Sequence, residues 1–258
     1  MSLEGRLALV TGGGRGIGQA IALKLASQGA DIIVNFFRHR ESAEKTAKDI
    51  EALGVKAETI RANVGDPAKI EEMFDMIGNK FGHLDILINN AASGVGRPVM
   101  DVDVKAWEWT MDINARACLL CAQRAAKLME GRGGKIVSIS SLGSPFVLPN
   151  YSIVGISKAA LEALTRYLAI ELAPQGICVN AVAASAVETE ALKFYFKEGL
   201  VKDNRQVTPA GRMVIPEDVA NVVAFLCSEE AFMIRGQTVV VDGGTSVGLF
   251  TLVGKEGE

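Results

Sequence analysis

A strand-length apolar run, Arg6 to Thr11 (RLALVT), passes straight into Gly12-Gly13-Gly14-Arg15-Gly16-Ile17-Gly18, and Gln19 to Ser27 continue at helical spacing. Strand, glycine turn and helix in that order leave a chain few folds to enter. Glycines let the backbone approach a phosphate closely and let the helix pack tightly on the strand. The helix amino terminus adds unpaired N–H groups and the positive end of its dipole. The element is therefore expected to be the phosphate-binding turn that opens a doubly wound α/β sheet. Gly12, Gly14, Arg15, Gly16, Ile17 and Gly18 form the candidate pyrophosphate cradle. The spacing departs from the commoner G-x-G-x-x-G, because Gln19 holds its last place when counting starts at Gly14. A glycine-rich turn alone says little; set between a strand and a helix it becomes specific.

Asp31 to Phe36 (DIIVNF) reads as a second buried strand. At the end of such a strand a carboxylate ordinarily holds the ribose 2'-hydroxyl of a dinucleotide. Here the chain reads Asn35-Phe36-Phe37-Arg38-His39-Arg40, with no acid. Arg38 and Arg40, with Arg15 from the glycine turn, suit a 2'-phosphate, so the expected cofactor is NADPH. The plainer reading makes these arginines solvated surface charges; the missing acid favours the phosphate.

The remaining chain keeps alternating. Glu41 to Leu53 reads as a solvated helix, Ala57 to Ala62 as a strand ending at Asn63-Val64, and Pro67 to Phe81 as a helix stopped by Gly82. Leu84 to Ile88 runs into Asn89-Asn90-Ala91-Ala92-Ser93-Gly94, small residues that let a backbone pass beside a ribose. Trp107 to Met129 is expected to be one long helix carrying Asn114, an amide among mostly apolar neighbours. Lys135 to Ile139 is a fifth strand with Ser138, Ser140 and Ser141 at its carboxyl end, where ligands of open α/β sheets sit. Ile177 to Val182 and Thr238 to Asp242 complete a parallel seven-stranded sheet with helices on both faces. No repeat or linker divides residues 1–258, so a single domain is expected.

Composition excludes several classes of function. The apolar runs have strand length, well short of the ~20 residues that span a bilayer, and no cationic-then-apolar leader precedes the first strand. A soluble, cytoplasmic protein is expected. With 27 basic and 30 acidic residues well mixed, there is no basic stripe to meet nucleic acid. Cys118, Cys121, Cys178 and Cys227 lie in apolar sequence, as reduced core thiols do. Cys118 and Cys121 form a C-x-x-C, but no second pair or histidine accompanies it, so no metal site is expected.

The chemistry concentrates in Asn150-Tyr151-Ser152-Ile153-Val154-Gly155-Ile156-Ser157-Lys158, ahead of a helical run from Ala159 to Leu172. Seven residues are nearly two helical turns, so Tyr151 and Lys158 are expected on one helix face. A phenol is a weak acid at neutral pH, and a nearby ammonium makes it a better donor to an oxyanion. The pair reads as proton donor and tuner. Taken alone, such a pair would more readily be a buried tyrosine and a solvated lysine; the residues upstream overturn that reading.

Thr11-Gly12-x-x-x-Gly16-x-Gly18, Asn89-Asn90-Ala91, Asn114, Ser140, Tyr151 and Lys158, in this order, resemble the short-chain dehydrogenase/reductases and their Rossmann fold over essentially the whole chain. That family's usual pair is Tyr-x-x-x-Lys, yet four before Lys158 stands Val154. Tyr-x6-Lys resembles the enoyl-acyl-carrier-protein reductase branch, and NNAASGVGRPVM, SISSLGS, SKAALEALTRYLA, TPAGRM and MIRGQT look most like its NADPH-dependent type III members. The displacement makes physical sense. In ketone reduction the carbon taking hydride bears the oxygen taking the proton. In an α,β-unsaturated thioester, charge builds on a carbonyl oxygen two carbons beyond the hydride acceptor, and the acid must stand farther off.

The resemblance further implies that Lys158 bonds the nicotinamide ribose and Tyr151 the enolate oxygen. It places the Val187 backbone at the carboxamide, Thr189 near the pyrophosphate, and a homotetramer around the site. Asn63, Val64, Asn90 and Ala91 join the expected cofactor contacts. Ser141 stands where related enoyl reductases carry a second tyrosine, so that role falls to Ser140, Ser141 or water. Ala92 and Ala184-Ser185 also depart from the family's usual Gly and Pro-Gly.

Leu192 to Val207 mixes Phe194, Tyr195 and Phe196 with Lys193, Lys197, Lys202 and Arg205. It reads as a lid near 190–210 over an acyl channel, its cations facing an acidic acyl carrier protein, or as an amphipathic helix packed on the domain. The apolar stretch Ser246 to Gly254 reads as a subunit interface. The leading expectation is an NADPH-dependent reductase of trans-2-enoyl thioesters, on acyl carrier protein or coenzyme A, in fatty acid synthesis. A 3-ketoacyl thioester reductase of the same family and an idle NADP-binding sensor are the alternatives.

Overall fold

Alternate residues of the strands leave for opposite faces, and this sorts the core into two layers. Ala8 and Val10 join one apolar cluster while Leu9 between them joins the other, and Ile33 parts in the same way from Ile32 and Val34. In the computed structural model, residues 2–189, 192 and 208–248 are described. Seven strands form one sheet: β1 (Leu7–Val10), β2 (Asp31–Phe36), β3 (Ala57–Arg61), β4 (Ile86–Asn89), β5 (Gly134–Ser141), β6 (Ile177–Ala184) and β7 (Thr238–Val241). Their order is β3-β2-β1-β4-β5-β6-β7, and every pairing is parallel. The doubly wound seven-stranded sheet expected from the alternation is the one observed.

Helices α1 (Gly16–Ser27) and α7 (Pro216–Cys227) cover one face with Ile21, Leu25, Val219 and Val223. Helix α3 (Pro67–Phe81) and α5 (Ala117–Leu128) cover the other with Ile70, Phe74, Cys121 and Ala125. Helix α2 (Arg40–Glu51) follows β2, and its solvated character agrees with an apolar face reduced to Ala43, Thr46 and Ile50. The signals that bound α3 act as the sequence suggests. The Asp66 side chain accepts from Ala68 N at 3.0 Å, Pro67 opens the first turn, and Gly82 ends the helix left-handed at φ 75°. No helix among the described residues is long and apolar enough to cross a membrane.

Two local expectations need correction. Trp107–Met129 is not one regular helix: α4 (Val104–Met111) gives way to a π-helical turn over Asp112–Arg116 before α5 begins. The longer π ladder interrupts the regular helix at Asn114. Tyr151, moreover, is not on the helix that carries Lys158. Helix α6 spans Ser152–Glu171, and Tyr151 caps it at φ −110°, ψ 11°, after Asn150 has turned the chain through left-handed φ 59°. The expected lid near 190–210 lies outside the described residues except for Leu192 and residues 208–210, as does the tail beyond 248.

Candidate active site

The sheet order reverses between β1 and β4, and the candidate residues gather at the carboxyl ends of the strands around that reversal. Gly12 and Gly16 take left-handed φ of 63° and 55°, where a side chain would be strained. Gly18 serves packing: a Cβ there would stand 2.4 Å from Gly12 O. Gly14 does likewise, with Ala43 of α2 at 3.0 Å from such a Cβ. The glycines thus divide into two that shape the turn and two that admit neighbouring elements. Arg15, exposed and extended at φ −162°, lies at the surface of the turn, while Ile17, partly exposed, packs against the core.

Side chains from two other strands fix this turn. Thr11 Oγ accepts from Asn90 N at 2.9 Å and Ala91 N at 3.0 Å, while Asn90 Nδ2 donates to Thr11 O at 2.9 Å and Gly12 O at 3.2 Å. Buried Asn35 accepts from Gly12 N at 3.3 Å and donates to the carbonyls of Ile60 and Ala62. Sequence reading took Asn35 only as a missing acid; its amide ties β1, β2 and β3 together. Arg38 and Arg40 are exposed beyond β2, the Arg38 guanidinium 5.6 Å over Phe37 and Arg40 3.7 Å from Glu44. Arg61, which sequence reading did not single out, braces that turn through Nε to Phe37 O at 3.2 Å. Asn63 is partly exposed and accepts from Gly65 N at 3.1 Å, whereas the Val64 side chain is in the core, leaving its backbone for any contact. After β6, Val187 bridges to Val214, and Thr189 Cγ2 lies 3.6 Å from where a Cβ on Gly16 would be. The loop expected near the pyrophosphate therefore does reach the glycine turn.

The reactive groups assemble on the other side of β4. Tyr151 Oη donates to Ser141 Oγ at 3.4 Å, and its ring lies against Gly143, where a Cβ would be 2.5 Å from two ring carbons. Val154, at the family's usual tyrosine position, packs its γ2 methyl onto Gly94. Of the two candidate serines, Ser140 is the one that misses: it is buried and donates to the Glu162 carboxylate at 2.5 Å, away from Tyr151. Both serines thus meet α6, Ser141 at its amino-terminal cap and Ser140 further along it.

Lys158 is buried and donates to Ile139 O at 2.8 Å. Burial pushes its ammonium below the ordinary lysine range, while Cys118 and Glu162 oppose that shift. Burial pushes the Cys118 thiol up to about 11, Lys158 acting against it. Asn114 is fully buried and holds its surroundings together: Oδ1 accepts from Ser93 N at 2.9 Å, and Nδ2 donates to Ser93 O at 2.8 Å and Ser157 Oγ at 2.9 Å. It latches the loop after β4 to α6. That loop and the Tyr151 turn also pair directly, Arg97 N donating to Asn150 O at 2.9 Å.

A family profile described as Enoyl-(Acyl carrier protein) reductase matches residues 12–246. The chain belongs to the short-chain dehydrogenase/reductase family. As an oxidoreductase of this family it is 36% identical to the 1-cyclohexenylcarbonyl-CoA reductase of Streptomyces collinus, over 94% of this chain and 87% of that protein. It is 37% identical to a 3-oxoacyl-(acyl-carrier-protein) reductase FabG of Staphylococcus aureus, over 92% and 96%. A short-chain dehydrogenase from Burkholderia cenocepacia, solved in complex with NADP, superposes with a TM-score of 0.87 at 36% identity, covering 95% of this reductase and all of that chain. The enoyl, cyclohexenylcarbonyl and 3-oxoacyl substrates named among these matches leave the reaction open, and the residues around Lys158 must discriminate.

Proposed function

We propose that this reductase uses NADPH to reduce the C2–C3 double bond of trans-2-enoyl thioesters. The observation that carries the reading is Tyr151 capping α6 beside Ser141 while Val154 fills the position four before Lys158. The left-handed Gly12 and Gly16, the Thr189 loop above them, and Arg15, Arg38 and Arg40 with no carboxylate after β2 suit a dinucleotide bearing a 2'-phosphate. The Burkholderia cenocepacia relative solved with NADP supports that cofactor.

When bound, NADPH supplies a hydride to the β-carbon. The protein's part is to meet the charge that appears on the thioester carbonyl oxygen. Tyr151 Oη donates to that oxygen in the enolate, and Ser141 orients the phenol. Lys158, as a cation, favours the phenolate form left behind and would hold the cofactor's ribose. Asn114 positions the Ser93 loop as one wall of the site. Val187 and Thr189 would hold the carboxamide and pyrophosphate, and Asn63, Val64, Asn90 and Ala91 would make further cofactor contacts. The thioester is carried by acyl carrier protein or coenzyme A, and fatty acid synthesis is the setting that fits such a substrate.

The Staphylococcus aureus relative favours a second reading, reduction of 3-ketoacyl thioesters. One assay separates the two: NADPH oxidation with crotonyl thioester, with acetoacetyl thioester, and with neither. Turnover of the enoyl substrate is expected. Turnover of acetoacetyl but not crotonyl thioester would overturn the proposal.

A further inference from the structure

We propose that Glu162 is a positioning residue for the reaction: its carboxylate, oriented by Ser140, holds Lys158 as a cation inside the protein. Two neighbouring residues of β5 grip two successive turns of α6. Ile139 O accepts from Lys158 Nζ at 2.8 Å, and Ser140 Oγ donates to Glu162 at 2.5 Å. Lys158 and Glu162 are four apart on α6 and so share a face. A carbonyl oxygen satisfies one of the ammonium's three donors but supplies no charge, and burial works against the cation. Glu162, one turn along the same helix face and tied by Ser140 to the β5 residue next to the one that holds the lysine, is placed to supply the missing negative charge from outside the reacting groups.

Among the described residues, the Cys118 thiol faces Lys158 from α5, and burial pushes it up to about 11, although it too opposes the shift of the lysine. From α6 comes Glu162. Tyr151 stands at the cap of the same helix. Among the groups named, Glu162 is the carboxylate. A conserved volume without that charge is available in Glu162→Gln, which keeps an oxygen for Ser140 to donate to.

The inference rests on the reading that Lys158 works as a cation, and its test needs neither substrate nor cofactor. The lysine side-chain carbons of the intact protein are 13C-labelled and titrated by NMR, with Lys158 assigned from the resonance missing in Lys158→Met. In Glu162→Gln the Lys158 midpoint is expected to move to lower pH, and in Ser140→Ala to move the same way by less. A midpoint unchanged from the native protein in folded Glu162→Gln would overturn the inference. Should that variant fail to fold, Ser140→Ala decides, an unchanged midpoint again counting against it. The alkaline limb of turnover should move with the midpoint, which a merely structural role would not produce. A shifted midpoint in a protein that reduces no enoyl thioester would leave this inference standing and overturn the proposed reaction alone.

Discussion

Val154 and Tyr151 differ by one helical turn in sequence, and their surroundings explain why the acid cannot simply be moved back. The Val154 methyl already presses on Gly94, so a phenol there would displace the loop that Asn114 latches. Tyr151→Phe removes only a hydroxyl, so NADPH binding, followed by fluorescence titration, should be unchanged. Turnover should fall by at least ~100-fold, the lower range for a positioned acid. Adding Val154→Tyr to that variant should not restore enoyl turnover. The proposed charge-assisted contact of Arg38 with the 2'-phosphate predicts that Arg38→Ala weakens NADPH about tenfold or more while leaving NADH nearly unchanged; equal affinity of the native protein for both would refute the assignment. Lys158 also has a cost in stability. Its folded-state value lies below the ordinary lysine value, so between the two the unfolded chain binds more protons and stability rises with pH. Below both, the buried charge destabilises fully. Lys158→Met should therefore melt at a higher temperature than the native protein at neutral pH, by a margin that shrinks as pH rises into the lysine range, and should lose turnover.

At the scale of elements, the π turn is where helix regularity yields to the site. Asn114→Ala would leave the Ser93 N–H and carbonyl and the Ser157 hydroxyl without their buried partner. An unsatisfied buried group costs about 1–3 kcal/mol, so chemical denaturation should show a loss of at least that order. Turnover should fall with it, since the loop after β4 is then released from α6. The short capped junction before α6 works in the opposite sense: Asn150 takes a left-handed turn so that Tyr151 can stand outside the helix, its ring on Gly143. Any side chain at Gly143 would meet that ring, and Gly143→Ala should reduce turnover more than cofactor affinity, which steady-state kinetics and titration would separate.

The whole molecule leaves large apolar side chains in solvent on its outer helices and on the last strand. Tyr167 and Ile170 of α6 are 71% and 75% exposed, and Val240 of β7 is 45% exposed. Such faces suit subunit contacts better than solvent. A homotetramer is the expected state, and sedimentation at micromolar protein should give that mass; a stable monomer would refute it.

How much of this was legible beforehand follows from the range of each interaction. Strand alternation, the glycine turn, the Pro67 and Gly82 boundaries, the missing acid after Asn35 and the Tyr151–Lys158 spacing depend on residues near one another in the chain, and the sequence by itself determined them. Glu162 was visible four residues from Lys158, but its importance depends on Ser140, which β5 delivers from twenty-two positions away. The choice of Ser141 over Ser140 was hidden for the same reason: both lie at the end of β5, and only the packing of α6 on β5 decides which meets the phenol and which meets Glu162. The division of the glycines into turn-formers and spacers was likewise decided by the approach of Asn90, Ala43 and Thr189 from distant segments. Local backbone preference and hydrophobic period wrote the sheet. The tertiary fold alone decided which hydroxyl, carboxylate and ammonium meet, because those contacts join elements whose separation in sequence carries no record of their register in space.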